Sequence, residues 1–77
     1  MSTFINFTGA NDGVIYINTS HVVAIESGIS ANNNKWVSII MDNGDRYYRS
    51  TVGGATEEEI NNLINSITGN YTAIIND

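Results

Sequence analysis

The sequence predicts a mainly β (α+β) domain, in which about five short antiparallel strands form a bent meander or a small barrel and one C-terminal helix follows. Three observations predict this fold class. Five short apolar runs are separated by polar or glycine-containing breaks, at residues 4–7, 14–17, 22–25, 36–41 and 46–51. Proline is absent, so it interrupts none of these runs. The hydrophobic period becomes helical only after Thr56.

Length and composition predict a single domain that needs additional stabilisation. A chain of 77 residues fits one domain, residues 1–77, and a domain this small buries only about 60% of its unfolded surface. Small domains often add a disulfide, a metal or a partner subunit. The chain has no cysteine and one histidine, which excludes a disulfide, a thiolate zinc site and a histidine cluster within one chain. We therefore expect a homo-oligomer.

The strand runs differ in their predicted surroundings. The β-branched run 14–17 is typical of a strand buried on more than one side. Residues 9–13 form a predicted turn, and three consecutive asparagines, 32–34, favour an exposed loop. Asn43-Gly44 fits a two-residue type I′ turn, because both residue types tolerate positive φ angles.

That two-residue turn predicts the faces of the hairpin that it closes. It sets Ile40 opposite Tyr47, Ile39 opposite Tyr48 and Asp42 opposite Asp45. The predicted core side carries Val37, Ile39, Met41 and Tyr48. The other side carries Trp36, Ile40 and Tyr47, with Ser38 opposite Arg49. Because this second side is also apolar, it is the predicted subunit interface.

The most regular predicted element is a helix over residues 56–68. Its inward face is formed by residues spaced as i, i+3, i+4 and i+7, namely Ile60, Leu63, Ile64 and Ile67. Thr56 and Glu59 have the spacing of a capping box, and Gly69 fits the C′ position. The apolar tail, residues 71–75, allows a short sixth strand that pairs with an edge of its own chain or of a neighbour. Tyr71 and Ile74 are therefore further interface candidates.

Charge argues against a broad nucleic-acid footprint. The formal net charge is −5, and the basic residues are Lys35, Arg46 and Arg49. Sequence-independent DNA binding typically uses about 6–10 phosphate contacts, which three cations per subunit do not supply. The N-terminal residues lack the basic segment and long apolar stretch of a secretory signal, and no run reaches the roughly 18 residues of a membrane span. We therefore expect no membrane association and a cytoplasmic location.

Residue patterns for catalysis, metals and cofactors do not fit this chain. Ser20 and His21 are adjacent, so on a strand they point to opposite faces and are badly placed to act as nucleophile and base. Asp42 and Asp45 flank the turn without the spacing of a calcium loop. The glycine pair at 53–54 lacks the phosphate-loop lysine pattern. We expect no enzyme activity, no cofactor and no metal.

The order of elements resembles the small FlbD/SwrD-like flagellar accessory proteins. The matching stretches are "YIN" at 16–18, "VVAIES" at 22–27, "VSIIMDNGDRYY" at 37–48 and the helical "EEEINNLINSI". The "AIE" strand and the Gly-to-Tyr hairpin also resemble LytTR-type DNA-binding domains, whose basic strands this chain lacks. The strand count is similar to that of Sm/SH3-like small barrels, many of which form rings. In Sm proteins the helix normally comes first, whereas here it comes late.

Two hypotheses follow for function. The first is a non-catalytic, self-associating module, such as an accessory subunit of a bacterial or phage assembly, with an unknown protein partner. The second is an Sm-like small-barrel binder of single-stranded RNA, which would use Tyr47, Tyr48 and Arg49. Solution mass and salt-dependent binding to oligonucleotides separate the two hypotheses.

Overall fold

The described part of the chain forms five strands followed by one helix. The computed structural model describes residues 4–8 and 13–69. The elements, in chain order, are β1 (Phe4–Thr8), β2 (Val14–Asn18), β3 (Val22–Ile29), β4 (Lys35–Met41), β5 (Arg46–Ser50) and α1 (Glu57–Thr68). Single 3-10 turns at Thr19–His21 and Thr51–Gly53 follow β2 and β5. The mainly β prediction with a late helix is confirmed.

The strands form two antiparallel sheets, with orders β1-β2 and β3-β4-β5. Among the described strands the two sheets stay open and do not close into the small barrel that was one of the two predicted arrangements. The chain turns between the sheets at Thr19–His21, where the Asn18 side-chain oxygen accepts a hydrogen bond from the Ser20 amide at 3.0 Å. The predicted sixth strand, with Tyr71 and Ile74, lies outside the described residues.

The helix covers the core-facing side of the three-stranded sheet and also reaches β1. Its inward residues Ile60 and Leu63 are buried, and Ile64 and Ile67 pack against them, as the spacing predicts. The buried apolar residues of the described chain are Phe7, Ile17, Val37, Ile39, Ala55, Ile60 and Leu63. Both sheets and the helix therefore contribute buried residues to one core.

The helix begins as predicted and ends differently. The Thr56 hydroxyl accepts a hydrogen bond from the Glu59 amide at 3.0 Å, which satisfies one of the free donors of the first turn. The Glu59 carboxylate completes no capping box, because it binds Arg49 on β5. Gly69 is the C-cap residue and has helical backbone angles, φ −52° and ψ −30°, so its predicted assignment to the C′ position is wrong.

Strand β2 is buried on one side, and the prediction of burial on more than one side is wrong. Ile17 is buried and Ile15 is half-buried, whereas Val14 and Tyr16 are 55% and 66% exposed. The alternation arises because β2 pairs with β1 and packs only its Ile15 and Ile17 side against the core. A β-branched composition alone therefore does not distinguish a strand buried on one side from a strand buried on both sides.

The β4–β5 hairpin closes through a three-residue loop, and the predicted type I′ turn is wrong. The Gly44 amide donates to the Met41 carbonyl at 3.0 Å, and the Met41 amide donates to the Asp45 carbonyl at 2.8 Å. Gly44 has a φ of +91°, and Asn43 is not among the described residues with positive φ. A type I′ turn needs positive φ at both positions, whereas a three-residue loop needs it only at the final glycine.

The different loop shifts the register by one residue. Tyr47 lies opposite Ile39, and Tyr48 lies opposite Ser38. Because side chains alternate along a strand, a shift of one residue moves every β5 side chain to the other face. Tyr47 and Arg49 therefore face the core and the helix, and Tyr48 faces away from them.

Candidate functional site: the outer face of the three-stranded sheet

The side of the three-stranded sheet that points away from the helix carries a stacked aromatic pair and an ion pair. We call it the outer face. The pairing places on it Ala24, Glu26, Trp36, Ser38, Ile40, Arg46 and Tyr48. Of the predicted interface residues, Trp36 and Ile40 lie here, and both are half-buried.

Trp36 and Tyr48 form a stacked aromatic pair on the outer face. Their ring centroids lie 6.2 Å apart and the ring planes are inclined by 22°. They are diagonal neighbours, since Trp36 lies opposite Ser50 and Tyr48 opposite Ser38. Tyr48 remains 59% exposed. The pair is therefore a preformed aromatic platform whose outer ring is open to solvent.

Glycine at position 28 lets the indole lie close to β3. Gly28 is paired with Trp36, and a Cβ atom at position 28 would come within 3.1 Å of the Trp36 Cζ2 atom. That distance is shorter than an ordinary van der Waals contact, so a larger residue would displace the ring. Because the indole lies against the backbone of β3 at Gly28, Trp36 is half-buried.

A polar network crosses the outer face beside the aromatic pair. One guanidinium nitrogen of Arg46, Nη1, lies 3.0 Å from Glu26 Oε1 and 3.1 Å from Ser38 Oγ. Ser38 is buried, with 3% exposure, and this hydrogen bond satisfies its hydroxyl. Glu26 and Arg46 are both more than half exposed, so the ion pair itself contributes little stability. Its main effect is to fix the charge pattern of the surface.

Tyr47 does not belong to this face, and the predicted grouping with Trp36 and Ile40 is wrong. Its ring packs on Phe7 of the other sheet, with centroids 6.1 Å apart, and it contributes to the core. Tyr48, predicted for the core, occupies the outer face instead. The physical cause is the one-residue register shift. Tyr71 and Ile74, the other predicted interface residues, lie outside the described residues.

Arg49 lies on the core side of β5 and reaches the helix. Its Nε atom is 2.6 Å from Glu59 Oε2, and its side chain is only 15% exposed. The hydrogen bond from this guanidinium to Glu59 raises the pKa of Arg49, while partial burial acts in the opposite direction. Two of the three basic residues, Arg46 and Arg49, are therefore engaged by carboxylates.

Asp42 has a partner that the sequence does not reveal. His21 Nδ1 lies 2.6 Å from Asp42 Oδ2, and the Asp42 amide donates to the His21 carbonyl at 2.8 Å. Asp45 is held by Asn43, whose side chain contacts both its amide and its carboxylate. The predicted position of Asp42 opposite Asp45 is wrong, because the Met41 amide donates to the Asp45 carbonyl and Met41 therefore faces Asp45. The two carboxylates have separate local roles at the hairpin tip.

In the described part of the chain no three His, Cys, Asp or Glu side chains converge into a metal site. Across those same stretches, no helix has the length and hydropathy required to cross a bilayer.

Comparison with known proteins found no matching family model and no significant match among curated proteins or solved structures. Over residues 4–8 and 13–69 the molecule is a small, mainly β fold with two open antiparallel sheets and one covering helix. The resemblances to FlbD/SwrD-like, LytTR-type and Sm-like proteins stay predictions.

Proposed function

We propose that the protein is a non-catalytic, self-associating structural or interaction module, a cytoplasmic accessory subunit of a bacterial or phage assembly. Its homo-oligomeric contact is the outer face of the three-stranded sheet. The observation that supports this most directly is the stacked Trp36–Tyr48 pair, which presents an exposed tyrosine on a rigid strand. Tyr and Trp are enriched in interfaces because they bury a large area with few rotatable bonds.

Burial of this face is energetically significant for a chain of this size. Burying one large apolar side chain contributes about 1.5–3 kcal/mol relative to leaving it in water. Trp36, Ile40 and Tyr48 are each only partly covered within one subunit. A domain of 77 residues has a small core, so an intersubunit contact adds a substantial share of the total stability.

The charge pattern of the outer face is compatible with a second copy. A twofold interface brings the same patch together from both subunits, so the patch must complement itself. Glu26 and Arg46 lie side by side and carry opposite charges. Across a twofold axis, Glu26 of each subunit can face Arg46 of the other subunit. The aromatic pair then lies in the centre of the contact.

The alternative is binding of single-stranded RNA by an Sm-like surface. The Trp36–Tyr48 pair and Arg46 are the residue types on which bases stack. Against this alternative, Arg46 is already engaged by Glu26, and the net charge of −5 repels phosphate. Self-association needs no such cation and is the better-supported proposal.

A matched pair of variants tests the proposal. Tyr48→Asp introduces a charge on the outer face, and Tyr16→Asp makes the same change at a similarly exposed tyrosine of the other sheet. Tyr48→Asp should lower the mass in sedimentation, and Tyr16→Asp should not. Circular dichroism of the helix checks that both variants fold. Salt-sensitive binding to an oligonucleotide, abolished by Tyr48→Asp in a protein that is monomeric throughout, would favour RNA binding instead.

A further inference from the structure

The tip of the β4–β5 hairpin carries a pair of groups that can react with each other. Asn43 is the one asparagine of the sequence that is followed directly by glycine. Because glycine has no Cβ atom, the amide nitrogen of Gly44 is easily approached by the preceding side chain. Asparagine is among the thermolabile residue types. Both residues are exposed, so the loop combines the reacting groups with access to water.

We propose that Asn43 is a site of spontaneous deamidation and that opening of the hairpin loop controls its rate. In this reaction the backbone nitrogen of Gly44 forms a bond to Cγ of Asn43, and the Cγ–Nδ2 bond breaks. Ammonia leaves and carries away the proton of the Gly44 amide. Water then opens the resulting cyclic imide at either carbonyl carbon, which gives aspartate or isoaspartate at position 43. The steps use water alone and no enzyme.

The folded loop restrains the attacking nitrogen. The Gly44 amide donates a hydrogen bond to the Met41 carbonyl at 3.0 Å. The nitrogen becomes a nucleophile only as it loses its proton, and this hydrogen bond keeps the proton in place. The same loop is closed by the Met41 amide, which donates to the Asp45 carbonyl at 2.8 Å. The nitrogen is therefore released for attack when this end of the hairpin opens.

Asp45 restrains the group that is attacked. Asn43 Oδ1 accepts a hydrogen bond from the Asp45 amide at 2.9 Å. Asn43 Nδ2 donates to Asp45 Oδ2 at 3.1 Å. Because the reaction expels Nδ2 as ammonia, it necessarily loses this second hydrogen bond. The loop thus stabilises the unreacted asparagine relative to its products.

The products fit this loop less well than asparagine does. Aspartate at position 43 would present a carboxylate to the Asp45 carboxylate in place of a donor, and like charges in such proximity repel. Isoaspartate lengthens the main chain between positions 43 and 44, because the backbone then passes through Cβ. The hydrogen bond from Gly44 to Met41 spans this segment. Deamidation should therefore loosen the loop that sets the register of the hairpin.

A time course of the intact chain at mildly alkaline pH tests the proposal. Peptide mass mapping measures conversion of Asn43 from amide to acid in the folded protein and in the same chain unfolded in guanidinium chloride. The folded chain should react at least about tenfold more slowly, because the hydrogen bonds of the loop must open first. Equal rates in the two states, or no conversion at Asn43 in either state, would overturn the proposal.

Matched variants separate the contact made by Asp45 from the loss of a charge. Asp45→Ala removes the carboxylate that accepts from Asn43 Nδ2. Asp42→Ala removes the same charge from the same loop, but the Asp42 carboxylate contacts His21 instead. The first variant should deamidate several-fold faster than wild type, and the second should stay close to wild type. Circular dichroism checks that both variants fold. Equal rates for the two variants would overturn control by Asp45.

The deamidated chain provides a further readout that needs no variant. It carries one negative charge more than the formal net charge of −5, so anion exchange separates it from the unreacted chain of the same incubation. The product should unfold at a lower denaturant concentration than the unreacted fraction. Identical midpoints would overturn the inference that the loop depends on the Asn43 amide. The proposal is independent of self-association, since residues 42–45 do not belong to the outer face.

Discussion

Arg49 on β5 and Glu59 in the first turn of α1 form a two-point ion pair that connects the three-stranded sheet to the helix. The Arg49 Nε–Glu59 Oε2 distance is 2.6 Å, and a second contact, Nη2 to Oε1, is 3.4 Å. Arg49 is mostly shielded from solvent, whereas Glu59 is 42% exposed. The same glutamate donates its backbone amide to Thr56. One residue thus takes part in both capping and docking of the helix.

Glu59→Gln should destabilise the protein more than Glu58→Gln, a control in the same helical turn. Both changes remove a favourable charge at the helix N-terminus, but only Glu59 pairs with Arg49. Because Glu59 is partly exposed, the extra loss should be about 0.5–1 kcal/mol in urea unfolding. Equal losses for the two variants would show that the ion pair does not stabilise helix docking.

Thr56→Ala should cost about 1 kcal/mol, because the hydroxyl accepts the Glu59 amide at the start of the helix. Thermal or denaturant unfolding monitored by helical circular dichroism measures the effect. Thr56→Ser, which keeps an accepting hydroxyl, is the matched control and should retain most of the stability. Identical midpoints for the alanine variant and wild type would contradict the capping role.

Leu63→Ala should cost about 2–5 kcal/mol, since Leu63 is 7% exposed and belongs to the core cluster. A loss of this size can unfold so small a domain. Asn62→Ala, at an exposed position of the same helix, should change stability by less than about 0.5 kcal/mol. A loss for Leu63→Ala as small as that of the control would mean that this face of the helix is not packed.

Gly44→Ala tests the three-residue hairpin loop. Gly44 has a φ of +91°, which costs an alanine about 1–2 kcal/mol, although its Cβ would meet no atom within 4 Å. Gly53→Ala is the matched control, because its Cβ space is also open and its φ is not positive. The control should be neutral or slightly stabilising. Similar stabilities for the two variants would contradict the left-handed geometry at Gly44.

The sequence predicts local features well because their causes are local. The helix start depends on Thr56, Glu59 and the spacing of Ile60 and Leu63, all within eight residues. Strand positions likewise follow from short apolar runs between breaks. For several elements the predicted and observed first or last residues therefore agree to within one position.

The hairpin register is harder to predict because Asn43-Gly44 fits two loop types. The difference between them decides whether Tyr47 or Tyr48 faces the core, and the observed choice brings Tyr47 against Phe7 of the other sheet. That contact joins residues forty positions apart, which no local pattern reports. The error in the candidate site, Tyr47 in place of Tyr48, follows directly from this register.

Sequence patterns also fail to predict the ion pairs between residues distant in the chain, because no local pattern contains both partners. His21 and Asp42 are separated by 21 positions, and Glu26 and Arg46 by 20. In each case two elements with no shared motif are brought together by strand pairing. The charged residues are visible in the sequence, but the pairing that determines their partners is a property of the assembled sheet.

Sedimentation of the wild-type chain over a range of concentrations tests the proposed self-association most directly. One subunit has a mass of 8.4 kDa. The account predicts a larger species that persists or increases toward high micromolar concentration, and Tyr48→Asp should shift it toward one subunit while Tyr16→Asp leaves it unchanged. A wild-type protein that sediments as a single subunit throughout this range would contradict the account.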